Sequence, residues 1–141
     1  MNDTLASWDK IEREKGYKGW KFVLGHHAME SASFVHGPRP QLNQDLRPLL
    51  NQYGAHVYMC GHDHNLQLIK SSDPIYHIVS GGGGFVTSPF SLHKTDFGYP
   101  GLMYGSSTFG FVVAHLKQTQ LFLEFVDYRG DIVSSFTINK E

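Results

Sequence analysis

Two short apolar runs end in the same way, and this repetition constrains the fold more than any other feature of the chain. Residues 20–24 (WKFVL) lead into Gly25-His26-His27, and residues 55–60 (AHVYMC) lead into Gly61-His62-Asp63-His64-Asn65. A short apolar run bounded by glycine is the pattern of a strand buried on both faces. Between the runs, residues 40–53 (PQLNQDLRPLLNQY) carry Leu42, Leu46, Leu49 and Leu50 along one helical face, with Gly54 placed to cap the end. Pro48 inside that stretch predicts a kink or two short helices. Strand, helix and strand of this length form a right-handed parallel βαβ unit. Ahead of it, residues 4–15 read as a short amphipathic helix with Leu5, Trp8 and Ile11 at helical spacing, Thr4 as its cap and Gly16 as its stop.

The second half changes character. LQLIK (66–70), PIYHIVS (74–80), TFGFVVAHLK (108–117), LFLEFVDY (121–128) and DIVSSFTI (131–138) are strand-like, and no helical pattern follows residue 54. Arg129-Gly130 reads as a hairpin turn, which accounts for the RGD triplet without an adhesion role. Residues 81–107 are rich in glycine, serine and proline and too long for a simple connection, so a functional surface loop is expected there. SGGGG (80–84) lacks the following helix and the lysine spacing of a phosphate loop and reads instead as a close backbone approach. The expected architecture is a sheet that takes one βαβ unit from the first half and antiparallel strands from the second.

Composition then excludes several classes. A chain of 141 residues with 40% hydrophobic residues has the size of one compact domain and enough apolar residues for a real core. Its net charge of -1, with both signs spread along the chain, leaves no basic stripe for nucleic acid. No window approaches the roughly 18 apolar residues of a membrane span. Cys60 is the single cysteine, which rules out an internal disulfide and a thiolate zinc ribbon and reads as an inert core thiol.

The nine histidines are the unusual number. In open α/β sheets ligands bind beyond the carboxyl ends of parallel strands, where both Gly-His steps fall. In an extended segment residues i and i+2 point to one side, so His62 and His64 face one site with Asp63 turned away, and each preceding glycine allows a tight turn. Neutral imidazole binds iron, zinc and related metals, and His26, His62 and His64 are read as ligands of a dinuclear metal site. The plainer alternative is a set of packed or surface histidines. His36, in the loop VHGPRP, is within chain reach of His26 and has the chemistry of a general acid, or is an ordinary exposed histidine. His27 is read either as packing beside the site or as supporting a ligand from behind, and His56, His77, His93 and His115 are read as structural.

GHH (25–27), HGP (36–38), LRPLL (46–50), CGHDHN (60–65), VSGGGG (79–84) and FGFV (109–112), in this order, resemble the C-terminal half of tartrate-resistant (purple) acid phosphatases of the calcineurin-like metallophosphoesterase superfamily. The resemblance implies a four-layer αββα fold, of which residues 1–141 would be the C-terminal part of a single domain. It implies a ferric ion paired with Fe, Zn or Mn, His26 and His62 on the divalent ion, His64 on the ferric ion, and His36 protonating the leaving alcohol of a phosphate monoester. It also implies a secreted, lysosomal or periplasmic enzyme, although the chain itself names no compartment.

The chain departs from that family in two respects: the His26 to His36 interval is one residue longer than in its mammalian members, and the family's earlier blocks are missing. No GDxG, GDxxY or GNHE occurs, so the aspartates, tyrosine, asparagine and further histidine that complete the family's metal pair are absent. The chain therefore reads as one half of a longer enzyme whose missing N-terminal half completes the domain. Two alternatives stand beside it: a catalytically inactive fragment acting as a binding module, and a mononuclear zinc hydrolase using His26, His62 and His64.

Overall fold

The computed structural model describes residues 2–16, 18–85, 87–89 and 99–140. Helix α1 (Asn2–Lys15) is followed by β1 (Phe22–Leu24), α2 (Pro40–Asp45), α3 (Arg47–Gln52), β2 (Val57–Cys60), β3 (Leu66–Lys70), β4 (Tyr76–Ser80), β5 (Leu102–Ser106), β6 (Gly110–Leu116), β7 (Gln120–Asp127) and β8 (Ile132–Asn139). The expected βαβ unit is present: β1 and β2 are parallel, with Val23 opposite Tyr58. Pro48 acts as anticipated. The helical stretch breaks at Leu46, and Pro48 occupies the first turn of α3, where its missing N–H has no intrahelical partner to lose.

Two sheets replace the one expected from the residues. The first has the order β1-β2-β4-β3-β5 and the second β6-β7-β8. Strands β1, β2 and β4 are parallel, while β3 runs antiparallel between β4 and β5. The sheets face each other across a core of Val57, Leu66, Leu68 and Ile78 from the first and Leu121, Leu123, Phe125 and Ile138 from the second. The other face of the first sheet is covered by Leu5 of α1, Leu50 of α3 and the loop residues Ala28 and Met29, packed with Tyr58, Cys60 and Val79. Helices, sheet and sheet thus form three successive layers. Two covered faces explain why Leu66, Gln67, Leu68 and Ile69 of β3 are all buried, Leu66 and Leu68 against the second sheet.

Several expectations shift. Helix α1 starts at Asn2, so Thr4 lies within its first turn rather than capping it. The first apolar run is an edge strand: β1 has only β2 beside it among the described residues, and Leu24 is 73% exposed rather than buried on both faces. Within the long loop, Leu102–Ser106 forms β5, paired with β3 across a bulge at Leu68/Ile69. Residues 86 and 90–98 of that loop, His93 included, lie outside the described residues. The turn between β7 and β8 is as expected. Gly130 has φ 90°, and the buried Asp127 carboxylate accepts from the N–H groups of Arg129 and Asp131.

Candidate metal centre

The topology explains where the histidines go. The chain leaving β2 must cross the carboxyl end of β4 to reach β3, and residues 61–65, GHDHN, make that crossing. Residues 25–27 leave the carboxyl end of the adjacent β1. Both segments are tied to their neighbours: Gly25 N–H donates to the Met59 carbonyl and Gly61 N–H to the His26 carbonyl. Gly81 leaves β4 directly beneath the crossing, where its N–H donates to the Asn65 carbonyl. A Cβ on Gly81 would sit 1.9 Å from the Asp63 carbonyl oxygen, so the glycine run is the close backbone approach that its composition predicts.

Glycine 25 is required for a different reason. A Cβ there would meet the Tyr58 hydroxyl at 2.1 Å, and that hydroxyl passes beneath the loop to donate to the His27 carbonyl at 2.8 Å. Burial pushes the Tyr58 phenol up to about 12, so it remains a donor at neutral pH. The residue in the left-handed region is His62 itself, with φ 63°, rather than the glycine before it. An L-residue at such an angle is locally strained and is held there by its surroundings. The step closes with the Asp63 N–H donating to the Gly61 carbonyl at 2.8 Å. The segment is therefore a turn and not an extended strand, and the i, i+2 alternation assumed for His62 and His64 does not apply.

Four imidazoles surround His62 as a result of this turn or lie one contact beyond it. His62 Nδ1 lies 3.1 Å from His26 Nε2, and the ring centroids of His27 and His36 are each 4.3 Å from that of His62. His64 joins through His36, at 5.8 Å between ring centroids, and lies 5.1 Å from the Phe85 ring. Its backbone is held by Ser88, whose hydroxyl accepts from the His64 N–H and whose N–H donates to the His64 carbonyl. Among the described residues, the group with ligand atoms all within 4.8 Å of one another is His26, His27 and His62. Burial first, then the neighbouring His27, His36 and His26, hold the His62 pKa below the usual imidazole value. Its Nε2 is buried without a hydrogen-bond partner.

Beneath the histidines runs a buried polar column that the motif reading passed over. Asp63, Asn65 and Gln67 are all fully buried. The Asp63 carboxylate accepts from the Gly37 N–H, anchoring the loop that carries His36. Gln67 Nε2 donates to Asn65 Oδ1 and Ser31 Oγ, and its Oε1 accepts from the Ala32 N–H. The signal available in the sequence was Gln67, a polar residue inside the apolar strand LQLIK, with Asp63 and Asn65 just ahead of it. His77 is structural as expected, buried beside Asp73 at 3.5 Å, and Cys60 is an inert thiol, pushed up to about 12 by burial.

No family model matches the chain. Tartrate-resistant acid phosphatase type 5 of Rattus norvegicus is 34% identical over 131 residues, covering 90% of this chain and 39% of the relative. Purple acid phosphatase 4 of Arabidopsis thaliana is 35% identical over 133 residues, covering 91% of this chain and 37% of the relative. The chain is a relative of the purple acid phosphatases. It spans less than half the length of these curated relatives. The fold agrees: purple acid phosphatase PPD1 from yellow lupin superposes with a TM-score of 0.79 at 23% identity, over 99% of this chain and 27% of that one. GAP50, the anchor in the inner membrane complex of Plasmodium, superposes with 0.76 at 22% identity, over 95% and 42%. No described helix is long and apolar enough to cross a membrane.

Proposed function

We propose that this chain is the histidine-bearing, C-terminal part of a single dinuclear-metal phosphatase domain that hydrolyses phosphate monoesters. The observation that carries the reading is the imidazole array at the ends of adjacent strands, with a buried and unpartnered His62 Nε2, in a relative of the purple acid phosphatases. The donor chemistry fits one side of such a centre. His26 and His62 would hold a divalent ion, Fe, Zn or Mn, and His64 a ferric ion. Carboxylates to bridge them are lacking from the close ligand group, since Asp63 turns down to Gly37. They would come from the N-terminal half of the domain, which would also cover the open edge of β1.

When bound, the ion pair supplies Lewis acidity and an activated water. The chain's own residues do the rest. His36, exposed at the rim and anchored through Gly37 to Asp63, donates a proton to the departing alcohol. His27 buttresses His62. By resemblance, the complete enzyme is secreted, lysosomal or periplasmic.

The test is complementation. Purified residues 1–141 should show negligible p-nitrophenyl phosphate hydrolysis at mildly acid pH with iron and zinc, and addition of the upstream half should restore it. In the restored enzyme His36→Ala should lower turnover more for poor leaving groups than for nitrophenol, because a good leaving group needs less proton donation. A restored domain that binds metal yet hydrolyses no phosphate monoester would overturn the reading.

A further inference from the structure

We infer that this chain carries a ligand site at the end of the sheets opposite the histidine cluster, a crevice that takes a small aromatic anion: one ring bearing one acidic group, phosphate or carboxylate. The site uses none of the histidines assigned to the metal centre and stands independently of the phosphatase reading.

The three parallel strands set its frame. Trp20, His56 and Tyr76 stand at the amino ends of β1, β2 and β4. Their backbones are locked together: the His56 N–H donates to the Lys21 carbonyl at 3.0 Å, the Tyr76 N–H to the His56 carbonyl at 2.9 Å, and the Lys21 N–H to His56 Nδ1 at 3.0 Å. Lys70 ends β3 opposite Tyr76, and Lys140 follows the end of β8. Trp20 Nε1 donates to the Lys117 carbonyl at 2.7 Å and the Lys140 ammonium to the Lys18 carbonyl, which ties the strand ends of one sheet to the other. Between them lies a cavity of about 200 Å3, lined by Trp20, Tyr76, Ile138, His56, Lys70 and Lys140 among others.

The lining decides the class of ligand. Ile138 belongs to the core between the sheets, and Trp20 and Tyr76 pack against that core, so the floor is apolar. The rim is cationic. The Lys140 ammonium lies 5.6 Å from the Trp20 ring centre and the Lys70 ammonium 4.6 Å from that of Tyr76. No acidic side chain lines the cavity among the described residues, and Glu12, close enough to act on Lys140 and His56, is paired with Lys21 at 3.2 Å. Burial, against the pull of Glu12 and with Lys21 and Lys18 adding, holds the Lys140 pKa below the usual value. Positive charge thus exceeds what the surroundings neutralise. Because His56 Nδ1 accepts a backbone N–H, the neutral ring carries its proton on Nε2 and offers one more donor. An aromatic body would cover the floor, and its acidic group would take charge-assisted bonds from the rim. Drug-sized ligands need about 300–1,000 Å3, so this smaller cavity holds a single ring.

The chain has two tryptophans, so its 1H–15N spectrum carries two indole signals, and Trp8→Phe assigns that of Trp20. With chain 1–141 in EDTA at pH 7 and low salt, phenyl phosphate or benzoate should move the Trp20 signal and saturate it with a Kd of about 1 mM or below. Binding by either supports the inference, and the tighter of the two identifies the acidic group. Phenol and inorganic phosphate, each lacking one half of the ligand, should need at least about 10-fold more. Lys140→Gln should weaken binding by about 10-fold, the loss of one bond to a charged group. Added salt should weaken it in the unmodified chain, a check that needs no variant. Phenol binding as well as phenyl phosphate would reveal an apolar crevice only, and inorganic phosphate binding as well would reveal a charged patch only. Either result, an unmoved Trp20 signal with both aromatic anions, or an affinity indifferent to salt and to Lys140→Gln would overturn the inference. Failure of the complementation experiment would leave the Trp20 signal untouched, so the two readings fail separately.

Discussion

Replacing Gln67 by leucine should destabilise the chain by about 2–4 kcal/mol, although the two side chains are similar in volume and the site is fully buried. Gln67 makes three hydrogen bonds: to the Ala32 N–H, to Ser31 Oγ and to Asn65 Oδ1. Ser31 Oγ keeps the Ser33 N–H as a partner, so the groups orphaned by leucine are the Ala32 N–H and Asn65 Oδ1. Each buried group left unpaired costs about 1–3 kcal/mol. The added apolar surface returns about 1–2 kcal/mol, so the net loss spans about 0–5 kcal/mol with the stated value around its middle. Urea unfolding is the assay: the midpoint should fall with an unchanged m-value, because the surface exposed on unfolding barely changes. A loss below about 0.5 kcal/mol would show that these groups find other partners and would refute the reasoning. The histidine cluster gives a second check. Asn65 Nδ2 donates to the Ser88 carbonyl and Ser88 holds the His64 backbone, so the ring-proton resonances of His64 should shift in the variant while those of His26 stay in place.

Gly81→Ala should cost about 1–3 kcal/mol or more in urea unfolding, since its Cβ would lie 1.9 Å from a backbone oxygen that cannot rotate away; an unchanged midpoint would mean that the crossing at 61–65 is soft. Tyr58→Phe should cost about 1 kcal/mol for the lost bond to the His27 carbonyl, and an unchanged urea midpoint would mean that this bond contributes nothing. His77→Phe should flatten the acid sensitivity of stability. Burial holds the His77 pKa below the usual value, against the pull of Asp73 and Glu30 and with Arg47 adding to the lowering. The unfolded chain therefore takes up this proton near pH 6.5 and the folded chain does not, so stability present above that pH is lost as pH falls toward the depressed folded value. Because His56 and His62 are also lowered, the slope in urea midpoints between pH 7 and 5 should shrink in the variant rather than vanish; an unchanged slope would clear His77 of the effect.

What the sequence disclosed follows from whether local chemistry or assembly decides each feature. The βαβ unit, the break at Pro48, the close approach at Gly81 and the turn at Arg129-Gly130 depend on periodicity, on a missing N–H and on glycine's lack of a Cβ, all of which are written in a few adjacent residues. Strand β5 was hidden because LMYGS mixes glycine and serine with two apolar residues and is a strand only by pairing with β3. The division into two sheets was hidden for a similar reason. The stretch from β6 to β8 carries the same alternation whether it continues the first sheet or folds across it, and the choice is made by Leu121, Leu123 and Phe125 burying against Leu66, Leu68 and Ile78.

The site divides along the same line. Gly-His at the ends of two parallel strands marks the place of the cluster, because strand order brings both ends together. Its membership depends on one backbone angle. Had residues 61–65 been extended, His62 and His64 would share a face, as the alternation rule requires. At φ 63° His62 turns instead toward β1 and meets the pair His26 and His27, while His64 is left with His36 and Phe85. A non-glycine residue in that region is uncommon, and no local pattern in GHDHN announces it. What enforces it is the crossing over β4: five residues must span from β2 to β3 above the strand between them, with Gly81 rising from below and Asp63 tied down to Gly37. The strain at His62 is thus a consequence of topology, and it separates the compact trio His26, His27 and His62 from His64, which lies beside His36 and Phe85.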